Sequence, residues 1–271
     1  MATPTVPPID LPSRDEGKGP PIVLLHGVGA RHLVWNEVIP PLAAHHRVVA
    51  PDLRGHGRAP APPDSTYSFD EHAADVLHLL DTKGLREVHL VGSSAGALLA
   101  LRLALDHPER TRSLVMVSGA SYCDNHTRAI AERWIDTYGK EGADAFALRV
   151  LKDCYYPDWM EAHMEFADEV RAEVPKMEMG PAVRWSRAMM AFDERKRIGS
   201  VGRPTLIVQA MDDEVVDASH GRILRQSIPG AQIRIFAQTG HMISIERPTE
   251  LAEAIGNFVD DVETRSGGPR P

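Results

Sequence analysis

The stretch Val88-His-Leu-Val-Gly-Ser-Ser-Ala-Gly-Ala97 constrains this chain more than any other. A short apolar strand pattern runs straight into Gly-x-Ser-x-Gly, and the helix-forming run Ala97 to Leu105 follows at once. A strand-to-helix turn this sharp holds its central residue in strained backbone angles and crowds the positions two before and two after it. Gly92 and Gly96 occupy those positions around Ser94, whereas Ser93 lacks such flanks and reads as structural. Ser94 is therefore the candidate nucleophile.

Other apolar runs place this strand in a sheet. Ile22 to Leu25, Arg47 to Ala50 and Leu114 to Val117 read as further buried strands, and Phe69 to Leu80 as a helix whose Ala73, Val76, Leu77 and Leu80 recur at helical spacing. Its acidic first turn, Asp70-Glu71, suits the positive end of the helix dipole. Strand, helix, strand order predicts an α/β fold with a mostly parallel, doubly wound sheet covered on both faces. After Gly119 strand signals stop until Pro204 to Ala210, then resume with Ile233 to Phe236 and a last helix from Pro248 to about Val262. Residues 1–120 and 198–271 are thus expected to form the core, and residues 121–197 an inserted helical cap. The first dozen residues and the tail Arg265 to Pro271 have loop composition, and both ends are expected to be mobile.

A serine hydroxyl needs a base, and that base needs a partner to hold its tautomer and balance its charge. Of 13 histidines, His241 lies in Phe236-Ala-Gln-Thr-Gly-His241, a loop after a late strand, with Gly240 permitting a sharp turn. His126, His163 and His220 lack that setting. The strand Thr205 to Ala210 ends at Met211-Asp212-Asp213, where an α/β sheet presents its ligand-facing edge, so Asp212 or Asp213 is the orienting carboxylate. Both follow Ser94 and precede His241 in the chain, the order Ser, Asp, His.

Taken with Leu25-His-Gly-Val-Gly29 and Pro51-Asp-Leu-Arg-Gly-His-Gly57, these motifs resemble the α/β-hydrolase superfamily over roughly residues 20 to 262. The resemblance implies a capped serine esterase or lactonase, and it favours Asp213 as the triad acid with Asp212 as the fallback. Oxyanion donors are expected at the backbone amides of Ala95, just after the nucleophile, and Val28, by likeness to the His-Gly-x loop. His26, Asp52, Arg54 and Gly55 resemble scaffold positions. Similar chains open with a strand hairpin, but only about twenty polar, Pro-rich residues are available here, which leaves the presence of that first strand open. The elbow also lacks the His common before the nucleophile. Lactone hydrolysis, carbon–carbon bond hydrolysis and peracid formation would use the same triad. Dehalogenase and epoxide hydrolase relatives carry Asp where this chain has Ser94.

Composition narrows the partners. Hydrophobic residues make up 43% and charged residues 25%, ordinary for a globular domain, and the net charge of −8 with scattered acids argues against nucleic acid. No segment reaches bilayer-spanning length and the N-terminus lacks a signal-peptide pattern, so no membrane partner and a cytoplasmic location are expected. Cys123 and Cys154 read as free thiols. No motif calls for a metal or a cofactor. Between Ser121 and Arg197 lie Trp134, Trp159, Trp185 and six of the ten methionines, content for an adaptable apolar roof. With no Lys or Arg cluster to seize a phosphate, a small, mainly apolar acyl substrate is expected, and a homo-oligomer stays open. A ligand receptor with slow turnover is the alternative of another class.

Overall fold

A computed structural model describes residues 6–265 and 267. Seven strands form one sheet: β1 (Ser13–Glu16), β2 (Pro21–Leu25), β3 (Arg47–Pro51), β4 (Val88–Ser93), β5 (Thr111–Val117), β6 (Thr205–Ala210) and β7 (Gln232–Phe236). Their spatial order is β1-β3-β2-β4-β5-β6-β7. Only β1 runs antiparallel, pairing Ser13 with Pro51 through Glu16 with Val48.

The inner strands read as largely apolar runs because both faces are covered. In β2, Val23 and Leu25 join a core layer with the helices Phe69–Thr82 and Ala95–Asp106, while Ile22 and Leu24 join a second layer with the helix Pro248–Arg265. β4 lies near the middle, and each of its six residues is buried. The helix Phe69–Thr82 starts where its sequence says it should. Ser68 accepts from the Glu71 amide at 3.2 Å while Glu71 reaches back to the Ser68 amide at 3.3 Å, a reciprocal cap that satisfies two otherwise unpaired donors.

Two N-terminal expectations meet a definite outcome. A first strand is present, but its polar sequence lies at the sheet edge, where no apolar alternation is required. Expected mobility of the first dozen residues is corrected over the part described. Leu11 is buried in the core, the Ile9 amide donates to Asp75 at 2.8 Å, and the Pro7 carbonyl accepts from Arg54. The expectation for residues 1–5, 266 and 268–271 falls outside the described residues, and Arg265 belongs to the last helix.

Between β5 and β6 the chain builds five α-helices: Asn125–Glu141, Ala143–Cys154, Pro157–Ala162, Met164–Glu173 and Met179–Met190. Its two ends meet in a neck, where the Cys123 amide donates to the Phe192 carbonyl and the Glu194 amide to the Ser121 carbonyl. Trp185, fully buried, seats this insertion on the sheet side by stacking on His72 with ring centroids 4.3 Å apart and meeting His56 edge-on at 5.2 Å. Among the described residues, no helix is long and apolar enough to cross a membrane.

Candidate active site

Parallel pairing brings the C-terminal ends of β2, β4, β5, β6 and β7 to one edge of the sheet, with Leu25 opposite Gly92, Ser93 opposite Val117, and Ala210 opposite Phe236. Each sequence-predicted residue leaves one of those ends. Ser94 follows β4 with φ 55° and ψ −125°, a conformation that costs a non-glycine residue on the order of 1–3 kcal/mol. A side chain at Gly92 would come within 2.1 Å of the Gly96 carbonyl oxygen, and one at Gly96 within 2.3 Å of the Leu25 oxygen. The tight turn therefore requires both glycines, and it leaves Ser94 half-buried at the head of the helix Ala95–Asp106.

His241 and Asp213 meet on the loops after β7 and β6. Nδ1 of His241 lies 2.8 Å from Oδ2 of Asp213, and both side chains are buried. The other oxygen of Asp213 accepts from the amides of Val215 at 2.9 Å and Val216 at 2.8 Å, which fixes the carboxylate. Asp212, one residue earlier, is exposed, and its contact is a backbone bond to Thr239. Of the two candidate acids, it is thus Asp213 that reaches His241. The hydroxyl of Ser118 donates to the His241 carbonyl at 2.9 Å and braces the loop from beneath. Ser118 and Glu246, discussed below, are parts of the site that sequence reasoning missed.

Val28 and Ala95 flank the serine. The Ser94 Oγ lies 3.4 Å from where a Gly27 side chain would begin, so the His26-Gly27-Val28 turn passes directly over the hydroxyl. Ala95 opens its helix, where amides are unpaired and the dipole favours negative charge. Among the described residues, neither the Val28 nor the Ala95 amide donates to a protein acceptor. The Gly27 carbonyl accepts from His26 Nδ1 at 2.8 Å and from the Ala30 amide at 3.3 Å, which orients the shared Gly27–Val28 peptide. His26 Nε2 in turn accepts from the Leu53 amide at 2.9 Å, so its partners require the neutral tautomer with the proton on Nδ1.

The remaining scaffold positions hold the loop after β3. Arg54 and Asp75, both buried, form a two-armed pair at 2.8 and 2.7 Å. Asp52 is drawn upward by burial, but the bonds from His32 and from the Arg58 amide outweigh this and hold its carboxyl below the ordinary range. His126 lies against the Glu214 carbonyl, His163 stacks on Trp159, and His220 meets Asp124 at 3.0 Å, none of them at the serine.

Burial depresses four histidines: His26 to about 3, His56 to about 4, His72 to about 3 and His89 to about 3. In the unfolded chain they would titrate at about 6.5. Below that pH the unfolded state binds protons that the folded state refuses, so their stabilising contribution is complete above pH 6.5 and falls as pH drops towards 3–4. Each contributes a slope of up to about 1.4 kcal/mol per pH unit. The urea midpoint is expected to fall markedly between pH 7.5 and 5.5, and a constant midpoint would contradict this assignment. Both thiols are free, and burial pushes that of Cys154 well above its ordinary value.

Residues 20–248 match the alpha/beta hydrolase fold family, and the chain belongs to that family. A putative carbamate hydrolase RutD from Azorhizobium caulinodans is 29% identical over 256 residues, covering 94% of this chain and 96% of its own. A 2-hydroxymuconate semialdehyde hydrolase from Pseudomonas sp. is 29% identical over 262 residues, with 92% and 90% covered. The crystal structure of the enol-lactonase from Burkholderia xenovorans superposes with a TM-score of 0.85 at 26% identity, covering 92% of this chain and 96% of that one.

Proposed function

We propose that this protein is a serine hydrolase that cleaves a carboxylic ester or related acyl compound through a covalent acyl-enzyme. Ser94 is the nucleophile, His241 the base and Asp213 the carboxylate that orients it. The reading is carried by the 2.8 Å contact between buried His241 and Asp213, on loops that converge at the edge where Ser94 stands on its strained turn.

The chemistry follows from the arrangement. With Nδ1 held by Asp213, Nε2 of His241 is free to take the Ser94 proton as Oγ attacks the acyl carbon. The amides of Val28 and Ala95 receive the developing oxyanion, each contributing on the order of 3 kcal/mol of barrier lowering. His241 then returns its proton to the leaving group, and a water molecule activated by the same imidazole releases the acid. Residues 121–197 serve as a cap over this edge, and their aromatic and methionine content suits an uncharged, mainly apolar acyl group.

The named relatives include a putative carbamate hydrolase, a semialdehyde hydrolase and a lactonase, so the scissile bond is the open variable. Carbon–carbon bond hydrolysis is the second reading, favoured by the likeness to 2-hydroxymuconate semialdehyde hydrolase along nearly the whole chain. Assay of the purified protein on p-nitrophenyl esters, lactones, carbamates and ring-fission dienones tests both. We expect many turnovers on a short-chain ester. A single slow covalent turnover would instead support a receptor, and a dienone kcat/KM far above every ester would install the second reading.

A further inference from the structure

Five residues beyond His241, at the end of the short helix Ile243–Glu246, the Glu246 carboxylate is buried and, among the described residues, makes no ion pair with a Lys or Arg. The neighbouring Arg247 pairs instead with Glu250. Glu246 is held by backbone amides: Gly240 donates to both of its oxygens at 3.1 Å, and Tyr156 donates to Oε2 at 3.2 Å. Gly240 immediately precedes His241. Tyr156 belongs to the helical insertion, in the turn between the helices Ala143–Cys154 and Pro157–Ala162.

The two segments are pressed together at the same place. A side chain at Gly240 would lie 2.7 Å from the Cys154 oxygen and the Tyr156 nitrogen, and the Met242 amide donates to the Cys154 carbonyl at 3.2 Å. The carboxylate therefore ties the turn of the insertion to Gly240 on one side of His241, and the Cys154 carbonyl ties it to Met242 on the other.

We propose that Glu246 is a positioning residue for His241, whose carboxylate clasps the Tyr156 turn to the histidine loop and so couples the seating of the insertion to the placement of the base. The proposal rests on the reading of His241 as the base of Ser94. Charge enters as well. Glu246 is faced by Asp213, His241, Cys154, Tyr155 and Arg247. Burial pushes its carboxyl upward and the two amide bonds oppose that shift. While ionised, Glu246 adds a second negative charge near His241 and favours the imidazolium that forms as Ser94 is deprotonated.

The test compares Glu246→Ala and Glu246→Gln with the intact enzyme and with Ser94→Ala. Glu246→Ala is expected to lower kcat about 10- to 100-fold, in line with the loss of an orienting group behind a catalytic one. Fluorophosphonate labelling of Ser94 should slow in parallel. Glu246→Gln, which keeps an acceptor but loses the charge, should recover part of kcat, and in both variants the acid limb of the kcat/KM profile should move to lower pH. Folded variants with kcat within twofold of the parent and an unmoved acid limb would overturn the proposal. Should Ser94→Ala itself keep full activity, the triad reading fails rather than the clasp alone. If the Glu246 variants do not fold, Tyr156→Pro against Tyr156→Ala decides. Both lose the ring, φ of Tyr156 is already −65°, and only proline removes the amide donor. Proline should cost about tenfold more in kcat, and equal activity of the two would overturn the clasp.

Discussion

Ser94→Ala is expected to lower kcat for ester hydrolysis by about 100,000-fold or more while leaving the fold intact, because nucleophile, base and acid act as a unit and the residual rate comes from binding and oxyanion donors alone. The substitution deletes one hydroxyl from a half-buried site and leaves both flanking glycines in place. Alanine inherits the same positive φ, so the backbone strain is unchanged. Circular dichroism and the melting temperature should match the parent. A folded Ser94→Ala protein with full activity would end the proposal.

The second large effect separates two adjacent carboxylates. Asp213→Asn should lower kcat by about 10,000-fold, because an amide can place an N–H where the carboxylate oxygen accepted from Nδ1 and so enforce the wrong imidazole tautomer. Its remaining oxygen can still accept from the Val215 and Val216 amides, so the loop is expected to hold. Asp212→Asn, at an exposed position, should leave kcat within about twofold, as surface substitutions usually do. Steady-state kinetics on one ester measures both. Equal losses would remove the basis for choosing Asp213.

These residues also show what a sequence can and cannot carry. The inner strands were legible because a parallel sheet covered on both faces demands largely apolar runs, as Val88 to Val91 and Thr205 to Ala210 supply with only His89, Thr205 and Gln209 polar. Ser94 was legible because the strained turn excludes side chains at Gly92 and Gly96. The choice between Asp212 and Asp213 was not readable from composition or spacing. It depends on a local turn in which one carboxylate takes two backbone amides, and that geometry has no signature in residue types alone. β1 was illegible for a different reason: an edge strand of sequence Ser-Arg-Asp-Glu needs no buried face.

Glu246 was missed because its partners are amides of Gly240 and Tyr156, 90 residues apart in the second case. One signal was available, a lone acid closing the mostly apolar stretch Met242-Ile-Ser-Ile245, where an unpaired charge would be costly to bury. Ser118 offered less. Its hydroxyl contacts the His241 carbonyl across 123 residues of chain, and nothing near Ser118 in the sequence points there.

The central claim is that Ser94 is the nucleophile, and the most direct measurement is to react the native protein with a fluorophosphonate probe and map the adduct by peptide mass spectrometry. A single adduct on Ser94, formed in the parent, strongly slowed in His241→Ala and absent in Ser94→Ala, is the predicted result. An adduct on another residue, or equal labelling of the Ser94→Ala protein, would contradict the account.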